Sequence, residues 1–176
     1  MGFRGFIKLA SSYPVRKLRC TYLKQRYGFN CTFEGNASLL KVNIELGNNS
    51  KLNVKGTLQF TSFFYNYTPI NIILRDNATL QIDGDLIASG ASIIDSIFHY
   101  LAYDGVPADL QADVVIGNRV WLCPDVAVLK GSVIGDGCIV GHKSVVTGKS
   151  FPECCFIAGA PAKVIKTNCD WRSTLT

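Results

Sequence analysis

Two side chains in the chain can take up and return a proton near neutral pH, His99 and His142. His99 stands in Asp95-Ser-Ile-Phe-His99-Tyr100, and His142 in Val140-Gly-His-Lys-Ser144. Two imidazoles are too few for a three-histidine zinc site, which excludes carbonic-anhydrase-like chemistry. The seven cysteines (Cys20, Cys31, Cys123, Cys138, Cys154, Cys155, Cys169) form no C-x-x-C pair. An odd count without such pairs argues against a disulfide framework or structural zinc and for reduced, mostly buried thiols. No cysteine has a base beside it in sequence, so a covalent thioester route has no support.

What must position these groups is legible from Ile116 to Lys166, where the sequence counts in sixes. Aliphatic residues fall at Ile116, Leu122, Val128, Ile134, Val140 and Val146. Four places after each comes a small or β-branched residue: Val120, Val126, Ser132, Cys138, Ser144 and Ser150. Gly117, Gly135 and Gly141 directly follow aliphatic members. A helix needs a spacing near 3.6 and an isolated strand a spacing of 2, so a fixed six implies stacked repeats. Three units of six make a flat-sided coil of about 18 residues, with successive coils about 4.8 Å apart. A more ragged count runs through Leu40, Leu46, Leu52 and Leu58, and restarts at Leu74, Leu80 and Leu86 after the aromatic segment Phe60–Tyr67. Residues 93–115 interrupt it again, with Asp104-Gly105 and Val106-Pro107 as turn signals, and so read as a projecting loop. Pro14 to Tyr27 reads as a helix with Val15, Leu18 and Tyr22 on one face and Gly28 at its end. That helix is expected to cap the open end of the stack.

The whole chain, 176 residues with 48% hydrophobic and 18% charged, fits a folded protein with its own core. No apolar run approaches the roughly 18 residues needed to span a bilayer, and Lys8 interrupts any signal-peptide core. A cytoplasmic location is expected. The net charge of +5 is concentrated at the start: residues 1–33 hold seven basic side chains and no acid. Such a leader reads as a solvated helix face, or as a peripheral contact with an anionic membrane. No nucleic-acid motif accompanies it.

Ile116-Gly-Asn-Arg-Val-Trp-Leu122, Gly131-Ser-Val-Ile-Gly-Asp136, Ser144-Val-Val-Thr147 and Ile157-Ala-Gly-Ala-Pro-Ala-Lys-Val-Ile-Lys166 together resemble the hexapeptide-repeat acyltransferases. The likeness covers roughly residues 40 to 171 and is nearest to the capsule, lipopolysaccharide and sugar O-acetyltransferases. It implies an all-β, left-handed parallel β-helix, an exception to the usual right-handed crossover. A homotrimer with clefts between subunits, acetyl-CoA as donor, a saccharide hydroxyl as acceptor and no metal are implied with it. The domain division is then a basic leader with its helix at 1–36, the β-helix at 37–166 with loops near 60–73 and 95–114, and a tail at 167–176.

Residue roles follow from the same resemblance. His99 matches the catalytic histidine of a D-x-D-x-H-like segment, with Asp95 kept and Ile97 where a second acid is usual. Either Asp95 or a backbone carbonyl would orient it. Tyr100 and Asp104 lie in the acceptor-side loop. Gly141 stands where the family's backbone contacts the cofactor's pantetheine arm, Lys143 would add a cation near the cofactor, Gly159 and Ala160 would supply a close-approach backbone, and Lys149, Lys163 and Lys166 would meet its phosphates. Trp121 either lines the acyl channel or packs between subunits. His142 reads as an exposed rung side chain, and Cys138 as core. Two other readings use the same prism: N-acetylation of an amino sugar or nucleotide sugar, and a non-catalytic scaffold.

Overall fold

A computed structural model of the chain describes residues 13–28, 30–35, 42–62 and 69–172. Leu40, the leader up to Ser12, residues 63–68 within the aromatic segment and the last four residues lie outside them. The chain opens with α1 (Tyr13–Tyr27) and β1 (Asn30–Gly35), and then winds through five coils of three strands. The first coil is β2 (Val42–Leu46), β3 (Lys51–Val54) and β4 (Thr57–Ser62); the second is β5 (Ile70–Leu74), β6 (Thr79–Ile82) and β7 (Leu86–Ala88). After β8 (Ser92–Ile94) the chain leaves the prism as a hairpin, β9 (Ala102–Tyr103) and β10 (Val106–Pro107), and returns for β11 (Val114–Ile116) and β12 (Val120–Leu122). Two more coils follow, β13 (Ala127–Leu129), β14 (Val133–Ile134) and β15 (Ile139–Val140), then β16 (Val145–Val146), β17 (Ser150–Phe151) and β18 (Phe156–Gly159). Finally β19 (Ala162–Lys166) folds back antiparallel on β18.

Corresponding strands of successive coils pair in parallel, giving three sheets. The first sheet runs β2-β5-β8-β13-β16 and the second β3-β6-β11-β14-β17. The third runs β1-β4-β7-β12-β15-β18-β19. This is a three-faced parallel β-helix. Its core is the predicted ladder: Ile116, Leu122, Val128, Ile134, Val140 and Val146 are all buried, and so are Leu58, Leu74, Leu80 and Leu86. Val120, Val126, Ser132, Cys138 and Ser144 fill the corners as expected.

Three expectations fail, each for a local reason. Ser150 is exposed, because the last coil is one residue short: Val133 pairs with Ser150, 17 residues on, where Ala127 pairs with Val145, 18 on. Phe151 and Cys155 take the inward positions instead. Leu46 is exposed and Leu52 half-buried, because β2 and β3 are edge strands with no coil beneath them, whereas β4 rests on β1. The helix buries Leu23, with Cys20 and Tyr27 packed beside it, while Leu18 is 60% exposed and Tyr22 40%. The face that meets the core lies elsewhere on the helix from the one its sequence favours.

Corners carry a second ladder of hydrogen bonds that the period of six does not reveal. A carboxylate or amide of one coil accepts a backbone N–H of the coil below: Asp76 Oδ1 from Asn48 (2.8 Å), Asp85 Oδ1 from Thr57 (2.8 Å), Asn118 Oδ1 from Asp85 (3.0 Å) and Asp136 Oδ1 from Asn118 (2.8 Å). Each satisfies an amide that the turn removes from the sheets.

Candidate active site

His99 is placed by a departure from the coil. After β8 the chain would turn directly into β11, but residues 95–113 swing out as an arm. Ser96 bridges Gln111 antiparallel, the Ile97 N–H donates to Leu110 O (3.0 Å), and the Ala112 N–H donates to Asp95 O (3.0 Å). These bonds fix both ends of the arm on the prism. Beyond them Phe98 has φ of 61°, a conformation costly for an aromatic residue, and the His99 N–H turns back onto Ile97 O at 2.7 Å. The His99 side chain is exposed and its ring makes no hydrogen bond among the described residues. His142 differs: its Nδ1 lies 2.8 Å from Pro124 O, so that carbonyl accepts its proton and fixes the ring at a corner.

Asp95 is fully buried at the root of the arm. Its two oxygens accept the Arg75 N–H at 3.0 and 3.1 Å, the same corner bond seen elsewhere in the stack. Burial pushes its carboxyl above the usual aspartate range, partly offset by that amide. No hydrogen bond joins Asp95 to the His99 ring. Tyr100, 74% exposed, follows on the arm, and Asp104 with φ of 50° forms the hairpin turn with Gly105.

The residues expected around a cofactor divide between two regions. Gly141, Lys143, Gly159, Ala160 and Lys163 gather where the third sheet turns into the first. The Gly141 N–H donates to Ile157 O (2.8 Å), the Lys143 N–H to Pro124 O (3.1 Å) and the Gly159 N–H to Ser144 Oγ (3.1 Å). The Ala160–Pro161 bond is cis, and Lys163 lies opposite Ala158 in the final hairpin. Lys166 lies at the far end of that hairpin, against Phe156. Lys149 belongs instead to the corner between the first and second sheets, the corner from which the His99 arm departs. In a single chain the His99 arm and the glycine-rich turn therefore stand on different edges of the prism.

Trp121 lies on the outer surface of the third sheet between Ile87 and Ile139. Trp171 covers it, with ring centroids 5.8 Å apart and a tilt of 44°. The Trp171 Nε1–H donates to Arg119 O (3.1 Å), and Arg119 pairs with Asp170 at 2.7 Å. This clasp on the tail was not anticipated; the only sequence signal for it was the second of two tryptophans, isolated in a polar tail. Among the described residues no group of histidine, cysteine or acidic side chains is arranged to hold a metal, and no helix is long and apolar enough to cross a membrane.

Comparison with known proteins agrees with this geometry. The family "Bacterial transferase hexapeptide (six repeats)" matches residues 113–148. WbbJ of Escherichia coli (strain K12), named as a lipopolysaccharide biosynthesis O-acetyl transferase, is 33% identical over 181 residues, spanning 94% of this chain and 89% of that protein. Among solved structures, the polysialic acid O-acetyltransferase OatWY is 26% identical with a TM-score of 0.52, over 84% of this chain and 75% of the other. A hexapeptide-repeat acetyltransferase of Vibrio cholerae, complexed with acetyl-coenzyme A, shares the fold at 16% identity and a TM-score of 0.52, over 88% and 78% of the two chains. The chain belongs to the hexapeptide-repeat acyltransferases. It is an enzyme of acyl transfer, and its β-helix is the left-handed one of that family.

Proposed function

We propose that the protein transfers an acetyl group from acetyl-CoA to a hydroxyl of a saccharide, with His99 as general base. The observation that carries this is the placement of His99: an imidazole with a free ring, held outside the prism on an arm fixed at its root. WbbJ and OatWY, both named as O-acetyltransferases, supply the reaction class, and the Vibrio cholerae complex the donor.

The reaction then runs in one ternary complex. His99 takes the hydroxyl proton as the sugar oxygen attacks the thioester carbonyl, and the oxyanion is met by a backbone N–H. The tetrahedral adduct collapses, the carbon–sulfur bond breaks, and the thiolate of coenzyme A takes the proton back from the imidazolium. No acyl-cysteine is needed. Burial pushes the Cys123 and Cys138 thiols to about 11, so neither supplies a thiolate at neutral pH.

The division of the site between two edges supports a homotrimer. A head-to-tail contact around a threefold axis brings different surface patches together. The arm of one subunit, with His99, Tyr100 and Asp104, would then face the Gly141–Lys143 and Gly159–Lys163 region of the next. Tyr100, Tyr103, Val106 and Leu110 all project apolar surface from the arm, as an interface element would. Lys149, Lys163 and Lys166 serve the phosphates of the donor in this reading, and the enzyme works in the cytoplasm.

Thermal unfolding with acetyl-CoA tests the donor assignment. At 100 times the dissociation constant the ligand should add about 2.7 kcal/mol of stability. Lys163→Ala should reduce that gain. An unchanged melting temperature at millimolar acetyl-CoA would contradict the proposal.

A further inference from the structure

The arm also closes one side of a cavity of about 390 Å³, within the size range of small-ligand sites. It lies at the lower end of the corner from which His99 departs. Its walls include Arg26 and Tyr27 from the end of α1, Glu45 from β2, Arg75 and Asp76 beyond β5, and Phe98, the neighbour of His99. Each arginine lies over an aromatic ring: Arg75 is 5.3 Å from the centroid of Phe98, and Arg26 is 5.8 Å from that of Tyr27. The ring face attracts the guanidinium at these distances, and Arg26 also hydrogen-bonds the Tyr27 side chain, which leaves Arg75 as the arginine whose side-chain donors have no bonded partner among the described residues. Arg75 and Glu45 have exposed side chains and form no ion pair with one another or with any described residue. Asp76 accepts from the Asn48 N–H (2.8 Å) and Nδ2 (3.3 Å), so its oxygens are already occupied.

We infer that this cavity is a subsite for an uncharged hexose unit of the acceptor, next to the unit whose hydroxyl is presented to His99. The inference rests on the saccharide reading above and adds which part of the protein selects the acceptor. Its chemistry follows from the lining. Two guanidinium groups and two carboxylates balance in charge, so nothing in the wall demands a phosphate or a carboxylate on the ligand. Glu45 would repel either. The donors of Arg75 beside the acceptor Glu45 match neighbouring hydroxyls of a sugar ring, and Tyr27 and Phe98 offer apolar faces to its C–H side. Phe98 joins the two sites physically. Its left-handed backbone sends its own ring into the cavity wall while the next residue is His99.

The test is a glycan array probed with the labelled full-length protein, carrying neutral hexose oligosaccharides, sialylated and uronic-acid oligosaccharides, and phosphorylated sugars. Neutral oligosaccharides should be retained, and Glu45→Gln and Arg75→Ala should each weaken that retention by about tenfold or more. Both side chains are exposed, so both variants should keep the wild-type melting temperature and its rise with acetyl-CoA. Retention of acidic glycans alone, retention of none, or binding unaffected by both substitutions would overturn the inference. A failure of the acetyl-transfer reading looks different: acetyl-CoA would then fail to stabilise even the unaltered protein.

Discussion

At the scale of single residues, His99 and Asp95 stand four positions apart in opposite environments. His99 is exposed with a free ring, and Asp95 is buried with both oxygens on a backbone amide. Because burial raises the folded-state pKa of Asp95, its stabilising contribution is full below the ordinary aspartate range, about pH 4, and is lost as pH climbs through the raised value. Asp95→Asn keeps an acceptor for the Arg75 N–H and cannot ionise. It should flatten the fall in urea midpoint that the unaltered protein shows as pH rises from about 4. If Asp95 acts only on stability, the pH dependence of kcat should be unchanged in this variant. A displaced pH profile would show that it orients His99. The position of His99 was legible because the chain has only two imidazoles and one of them sits at an interruption of the period. The buried state of Asp95 was not, because the period of six carries no information about which corner carboxylate folds inward.

At the scale of elements, the ladder is held by aliphatic stacking and by its corners together. Gly135 lies so close to the next coil that an added Cβ would stand 2.6 Å from the Glu153 nitrogen. Gly141 is roomier, with 3.1 Å to the Ala158 Cβ and 3.3 Å to the Phe156 ring. Gly135→Ala should therefore cost about 1–3 kcal/mol in chemical denaturation, and Gly141→Ala less. Ser132 is buried, donates to Leu129 O at 2.6 Å and accepts the Gly148 N–H at 3.2 Å. Ser132→Ala leaves that amide without its acceptor and should cost about 1–3 kcal/mol. The regular coils were legible as far as Val146, because six inward aliphatics fall at one interval; the residue missing from the last coil, which turns Ser150 outward, was not. The helix itself was legible, but its buried face and the exposure of the first coil's edge strands were not. There the burial of Leu46, Leu52 and the α1 face depends on where the stack ends, and no local pattern records that end.

At the scale of the whole molecule, the His99 arm and the glycine-rich turn stand on separate edges of the prism, and the proposed function needs a second copy to bring them together. The 19.2 kDa chain should run in light-scattering chromatography as a trimer. Tyr103→Asp with Val106→Asp on the exposed tip of the arm should shift it towards monomer, with the circular-dichroism spectrum unchanged. A monomeric unaltered protein that still turned over acetyl-CoA would refute the shared-cleft arrangement. The expectation of a trimer comes only from the family resemblance. An exposed apolar arm shows that a surface is available, and nothing in the repeat itself names its partner.

Removal of the acceptor's proton by His99 is probed by single-turnover acetyl transfer with His99→Ala. With acetyl-CoA and a panel of neutral and acidic oligosaccharides, the release of coenzyme A thiol should fall by about 100-fold or more in the variant. Its melting temperature and its stabilisation by acetyl-CoA should match the unaltered protein, because the ring supports neither the fold nor the donor. Transfer at the wild-type rate by an intact His99→Ala protein would show that His99 is not the base.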